Sequence, residues 1–138
     1  MSFDVYVQSF QNGEFAGISR ERVRDAFGAH VTDTKTDFWQ LRYDDVDSCE
    51  LDLTPHASDP GMVRGFTIHR PCADHRLWDA LASVLALGDV VLYFPGGRPR
   101  LVARGSVTQH LPPSMVEALG QPVVVTTGRE IQHEIDVA

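Results

Sequence analysis

The sequence predicts an α+β fold, in which a mixed or mainly antiparallel sheet has helices packed on one side, as a single domain over residues 1–138. The chain is 43% hydrophobic and 22% charged, which together with its length of 138 residues is typical of one ordinary globular domain. Segments with the period-two alternation of strands are interspersed with segments of helical period. No internal repeat, low-complexity tract or long linker divides the chain.

The first predicted element is a strand, and a short helix follows it. Phe3–Phe10 alternates apolar and polar residues until Asn12 and Gly13 interrupt the pattern. Ser19 is a favourable N-cap for the helix, and Gly28 is typical of a helix C-terminus.

A meander of three strands is predicted next, with a hairpin that turns at residues 44–47 and a third strand at Val63–His69. The residues predicted to face the core are Trp39, Leu41 and Tyr43 in the first arm of the hairpin and Cys49, Leu51 and Leu53 in the second. The residues predicted to face water are Gln40, Arg42, Glu50 and Asp52.

The second half begins with the main helix. Asp74–Leu87 has the apolar stripe of an amphipathic helix, and Gly88 is its expected C-terminal cap. Strands are predicted at Asp89–Phe94 and Arg100–Arg104, joined by the turn PGGRP. The segment LPPSMVEALG then predicts a short helix, and Pro122–Thr126 a further strand.

The C-terminal tail has features of both a strand and a helix. Ile131, His133, Ile135 and Val137 alternate with their neighbours as in a strand. Thr127 and Glu130, however, have the spacing of a T-x-x-E capping box. We expect the short helix.

The excess negative charge is confined to the first half of the chain. Residues 1–59 hold twelve acidic and five basic side chains, and residues 60–138 hold seven of each, which gives the net charge of −7. This distribution repels nucleic-acid phosphates and anionic membrane surfaces and attracts cationic partners. With no signal-peptide pattern and no apolar run long enough to span a bilayer, we expect a cytoplasmic protein with no direct nucleic-acid or membrane partner.

The best candidate for a catalytic group is Cys72, because the N-terminus of the following helix favours a thiolate. His69 and His75 lie three residues to either side, and the three side chains could also ligate a metal. Pro71, however, places a corner among them, and His75 has no identified orienting partner. We therefore predict no catalytic residue and no metal ligand, and we expect Cys49 and Cys72 to be reduced thiols.

Motifs of cofactor binding and hydrolysis are also lacking. The glycines of FPGGRPR join two predicted strands, whereas a phosphate-binding loop leads into a helix. The chain has no G-x-S-x-G, H-E-x-x-H or Walker sequence. No cofactor is predicted.

The most unusual feature is a cluster of carboxylates in the segment RYDDVDSCELDLTP. Its five members are Asp44, Asp45, Asp47, Glu50 and Asp52. Exposed like charges repel one another by a few tenths of a kcal/mol per pair, so a compensating function is favoured. Complementary charge would speed association with a basic protein partner. Protection of a strand edge, together with the turn-forming chemistry of Asp, is the alternative explanation.

The chain resembles the small acidic immunity proteins of bacterial polymorphic and contact-dependent toxin systems. The similarity lies in its size, its α+β character, the N-terminal FDVYVQSF strand and the acidic DDVDSCELD hairpin. Such proteins neutralise a cognate toxin, often a basic nuclease, by covering its active site or another essential surface, and they catalyse no reaction. The resemblance implies the same role here.

We therefore expect a non-enzymatic protein-binding module, an immunity protein that uses the five carboxylates to bind a basic toxin domain. One alternative is a small thiol-dependent or metal-assisted enzyme that uses Cys72 with His69 and His75. The other is a structural or regulatory subunit that forms a homodimer through an exposed strand edge, with the C-terminal edge as the candidate.

Overall fold

The N-terminal strand lies in the middle of a ten-stranded sheet in the computed structural model, which describes residues 3–94, 101–103 and 105–136. The strands are β1 (Asp4–Gln11), β2 (Glu14–Phe15), β3 (Ile18–Ser19), β4 (Val31–Lys35), β5 (Phe38–Arg42), β6 (Ser48–Pro55), β7 (Met62–His69), β8 (Val90–Tyr93), β9 (Leu101–Val102) and β10 (Val123–Val124). The helices are α1 (Arg20–Phe27), α2 (His75–Leu85), α3 (Pro113–Leu119) and α4 (Gly128–Asp136), and 3-10 turns span Gly28–His30 and Gly105–His110.

The strand order is β10-β9-β8-β1-β7-β6-β5-β4, with the two short strands β2 and β3 pairing with β1 and β7. Every pair is antiparallel except β9 with β10, which is parallel. The α+β class with a mixed, mostly antiparallel sheet is thereby confirmed, and so is the meander from β5 to β7.

A glycine is required where β1 and β7 pair. Gly65 lies opposite Gln8, and a Cβ on Gly65 would collide with the carbonyl oxygen of Val7. A side chain at this position would force the two central strands apart.

The main core lies between one face of the sheet, here called the inner face, and the helices α1, α2 and α4. The six predicted core residues of the hairpin are all buried there, at 0 to 6% exposure. They pack with Val5 and Val7 of β1, Val23 and Phe27 of α1, Leu77, Leu81 and Leu85 of α2 and Ile131 of α4. Of the outward residues, Arg42, Glu50 and Asp52 are exposed and Gln40 is half-buried.

A second, smaller core covers the opposite face, here called the outer face, at the β8–β9 end of the sheet. Phe10, Val91 and Val102 form it with Val107 and Leu111, and Met115 and Val116 of α3 pack against it. The predicted placement of helices on one side therefore holds for α1, α2 and α4, while α3 packs on the other side.

Side-chain capping starts three of the helices. The Ser19 hydroxyl accepts a hydrogen bond from the Arg22 N–H at 3.3 Å, and the Asp74 carboxylate accepts one from the Arg76 N–H at 2.9 Å. The predicted C-terminal helix is confirmed, because the Glu130 N–H donates to Thr127 Oγ1 at 3.2 Å. The α2 helix ends at Leu85, two residues before its predicted end.

The close packing of α4 on α2 depends on Gly128. A Cβ on Gly128 would lie 2.5 Å from the backbone nitrogen of Asp79 and 2.5 Å from the carbonyl carbon of Trp78. Gln132 of α4 also donates a hydrogen bond to the carbonyl oxygen of Ala73 at 3.2 Å. α4 thus supports both α2 and the segment that precedes it.

Several short elements differ from the predicted ones. β4 was not predicted, because VTDTK lacks the apolar alternation that marks a strand. The strand predicted at Pro122–Thr126 is reduced to the two residues of β10. The PGGRP turn lies outside the described residues.

Candidate partner-binding surface

Three of the five predicted binding residues lie in the loop that joins β5 to β6, at residues 44–47, here called the acidic loop. The loop is closed by the Tyr43 N–H, which donates to the Asp47 carbonyl oxygen at 2.9 Å. Asp44 Oδ1 accepts hydrogen bonds from the N–H groups of Val46 and Asp47, each at 2.7 Å. The N–H of Asp47, and secondarily that of Val46, lowers the pKa of Asp44. The loop is therefore held in one shape by an ionised carboxylate.

An apolar side chain projects from this loop. Val46 is 88% exposed, the most exposed large hydrophobic residue among those described. It lies between the exposed Asp45 and the half-buried Asp47. Val46 was not predicted from the sequence, although a single apolar residue among turn-forming acids was the available signal.

The structure adds Asp74, the N-cap of α2, to the acidic loop. Carboxylate oxygens of Asp44, Asp47 and Asp74 lie within 4.8 Å of one another, the only such three-residue group of potential metal ligands in the described part of the chain. Arg76 offsets this charge, because its Nε and Nη2 donate to Asp74 at 2.9 and 2.8 Å. These bonds hold the pKa of Asp74 well below its usual value.

Arg76 also joins the helix to the hairpin. Its Nη2 donates to the carbonyl oxygen of Tyr43 at 2.9 Å, and its guanidinium carbon lies 5.5 Å from the centre of the Tyr43 ring. The acidic loop is consequently anchored on the N-terminus of α2.

The other two predicted binding residues, Glu50 and Asp52, lie on the outer face of β6, where they form the acidic face with Asp4 of β1. His69 of β7 lies among them, directly opposite Glu50 in the strand register. Its Nε2 is 2.6 Å from Asp52 Oδ2 and its Nδ1 is 3.4 Å from Asp4 Oδ2. The hydrogen bond to Asp52 raises the pKa of His69.

A shallow pocket of about 260 Å³ opens beside the acidic face. It is lined by Gln40, Ser48, Cys49, Glu50, His69 and Arg70. Arg70 has a φ of 48°, a left-handed conformation that is uncommon for a residue other than glycine and recurs at functional sites. The five predicted residues thus form two acidic groups, one in a rigid loop and one around a histidine.

The three residues of the predicted thiol alternative do not converge. His69 points to the outer face, whereas Cys72 packs against the main core on the inner side. The side chain of His75 is 77% exposed, and its Nδ1 lies 4.0 Å from Asp74. Burial raises the pKa of the Cys72 thiol and outweighs the hydrogen bond from the Asp74 N–H. Burial therefore opposes the thiolate that the helix N-terminus would favour.

No family model matches the chain, and neither the curated proteins nor the solved structures contain a match. Among the described residues, no helix is long and apolar enough to cross a membrane.

Proposed function

We propose that this protein is a non-enzymatic binding module for a basic protein surface, and that it acts as an immunity protein by covering a toxin domain. The proposal rests on the exposure of Val46. This side chain is 88% exposed, and it lies on a loop that two hydrogen bonds to Asp44 hold in place. A rigid loop loses little conformational freedom on binding, and an apolar side chain surrounded by polar groups matches the apolar core and polar rim of protein interfaces.

The charges around Val46 supply long-range attraction. Asp45 is exposed beside it, and the acidic face of the neighbouring strand adds Glu50 and Asp52. Such a field raises the rate of association with a cationic partner and makes that rate sensitive to salt. Burial of Val46 would contribute about 1.5–3 kcal/mol, since a fully buried valine side chain gains roughly that amount.

The pocket beside Glu50 accounts for specificity. Its volume of about 260 Å³ accommodates one side chain of the partner, and its lining holds the Glu50 carboxylate together with the basic side chains of His69 and Arg70.

The test begins with capture of a partner from lysate of the source organism by tagged protein at low salt, with a repeat at high salt. Association with the purified partner is then measured for Asp45→Lys combined with Glu50→Lys. We expect the association rate to fall about tenfold or more. The matched control is Glu21→Lys combined with Glu117→Lys, which makes the same change in net charge at exposed positions on α1 and α3.

A second variant tests the apolar contact. Val46→Ser leaves the charge unchanged, and we expect the dissociation constant to rise about tenfold, mainly through faster dissociation. Unchanged kinetics in both the double charge variant and Val46→Ser would refute the proposed surface, and so would an equal loss in the Glu21/Glu117 control.

A homodimer is the second candidate function, and one observation favours it. β10 pairs only with β9 in the described strands, and its Val124 is 51% exposed. Sedimentation over a range of concentrations would show a dimer, and Val124→Lys would return it to a monomer.

A further inference from the structure

A small pocket lies on the inner side of the sheet, where the start of α1 meets the segment that follows α2. Its volume is about 190 Å³. Ser9 of β1 lines it together with Ser19 and Arg22 at the start of α1 and with Leu87 and Gly88 after α2. None of its lining residues belongs to the acidic loop or to the acidic face, so the pocket is separate from the candidate partner-binding surface.

Ser9 gives this pocket a hydroxyl group that the fold leaves without a partner. Ser9 is 4% exposed and is the only buried polar residue in the described part of the chain. It follows Val5 and Val7 in the alternation of β1 and so belongs to the inner face. Its hydroxyl makes no hydrogen bond to any other described residue. Buried polar groups normally have partners, so an unpartnered hydroxyl that lines a pocket indicates a ligand there.

Two further donors come from the side chains of Ser19 and Arg22. Ser19 Oγ accepts a hydrogen bond from the Arg22 N–H, which leaves the hydroxyl proton for another acceptor. The Arg22 guanidinium has no ion-pair partner among the described residues, whereas that of Arg20 lies 3.3 Å from Asp37. The Arg20 N–H already donates to the Gly61 carbonyl oxygen at 3.0 Å, so the free donors here are side chains rather than the helix backbone.

The charge of the pocket differs from that of the whole protein. Acidic residues outnumber basic ones by nineteen to twelve in the chain, yet no acidic residue lines this pocket and Arg22 is its one charged lining residue. A guanidinium with two hydroxyl donors matches the acceptor oxygens of an oxyanion. The positive end of the α1 dipole favours the same charge.

We propose that this pocket binds a phosphate group, held by the Arg22 guanidinium and the hydroxyls of Ser9 and Ser19. This inference goes beyond the proposed binding function and does not depend on it. The volume suits such a group, because a water molecule takes about 30 Å³ in the liquid and the pocket therefore has the room of about six waters. The ligand is inorganic phosphate or a small phosphate monoester.

The experiment titrates the full, nitrogen-15-labelled chain with sodium phosphate at neutral pH, with the ionic strength held constant by sodium chloride. We expect saturable shifts in the amide signals of Ser9, Ser19, Arg22 and Gly88, described by one dissociation constant. A parallel titration with glycerol phosphate distinguishes the two sources of the group, since the better ligand gives the lower dissociation constant. Shifts that never saturate for either compound, or equal shifts with sodium chloride alone, would overturn the proposal.

Three variants assign the donors. Arg22→Gln and Ser9→Ala should each raise the dissociation constant for phosphate about tenfold, because each removes a hydrogen bond to a charged ligand. The matched control is Arg24→Gln, which makes the same charge change at an exposed position of α1 outside the pocket. An unchanged dissociation constant in Arg22→Gln, or an equal rise in Arg24→Gln, would refute the site.

The fold should tolerate these changes. Ser9→Ala removes a hydroxyl that has no hydrogen bond to lose, and Arg22 is exposed. Circular dichroism checks that each variant is folded. Because Arg22→Gln leaves the core unchanged, it tests the site independently of the buried Ser9.

Discussion

The contact of α4 with α2 gives the most quantitative prediction, which concerns Gly128→Ala. An added Cβ would lie 2.5 Å from two backbone atoms of α2, at Trp78 and Asp79. The most favourable separation of non-bonded carbon atoms begins at about 3.5 Å. The two helices would therefore have to separate by about 1 Å at this point. Neither obstructing atom belongs to a flexible side chain, so the clash cannot be relieved by a rotamer change.

The expected loss in unfolding free energy follows from that displacement. Overpacking of this kind costs about 1–3 kcal/mol, and displacement of α4 also weakens the contacts of Ile131, which is fully buried. Replacing glycine with alanine also restricts the unfolded chain, which raises the unfolding free energy by about 0.4–1 kcal/mol. The net loss in unfolding free energy should be about 1–2 kcal/mol, a decrease of roughly 1 M in the urea midpoint.

The matched control is Gly88→Ala. A Cβ on Gly88 would meet no atom within 4 Å, and its φ is not in the left-handed region. We expect this variant to be as stable as the wild type or slightly more so. If Gly128→Ala matched Gly88→Ala in urea, the direct backbone contact between α4 and α2 would be refuted.

Two further predictions concern the groups around the candidate surface. The pKa of His69 is raised in the folded state by Asp52, so its stabilising effect is complete below the unfolded pKa of about 6.5 and is lost as the pH rises through the folded value. The unfolding free energy of the wild type should therefore fall, relative to that of His69→Gln, as the pH rises above about 6.5. Tyr43→Phe should keep or raise the unfolding free energy by up to about 1 kcal/mol, because the buried hydroxyl has no partner to lose; a clear loss in urea would contradict this.

The local part of this structure could be predicted from the sequence. Trp39, Leu41 and Tyr43 face the core because alternate residues of a strand share a face. Asp74 and Thr127 mark helix starts because their side chains accept bonds from N–H groups only two or three residues away. Such patterns depend on neighbours along the chain and need no tertiary information.

The tertiary relations could not be predicted in the same way. Asp74 joins the acidic loop although it is 27 residues from Asp47, and Asp52 meets Asp4 through His69, which lies on a third strand. These contacts follow from the strand order, which alternation along a single strand does not specify. The segment VTDTK became β4 because the edge of β5 was available to pair with it, although its own pattern is polar.

The central place of β1 in the sheet has a consequence for folding. Asp4 pairs with His69 and Tyr6 with Tyr93, so β1 is synthesised well before either of its partner strands. The meander β4–β7 can form from near neighbours, whereas β1 closes the sheet through contacts of large sequence separation, which fold slowly. Because β7 and β8 are joined only through β1 in the strand order, a molecule in which β1 has detached exposes two unpaired edges at once. Release of β1 would therefore expose the molecule to edge-to-edge aggregation.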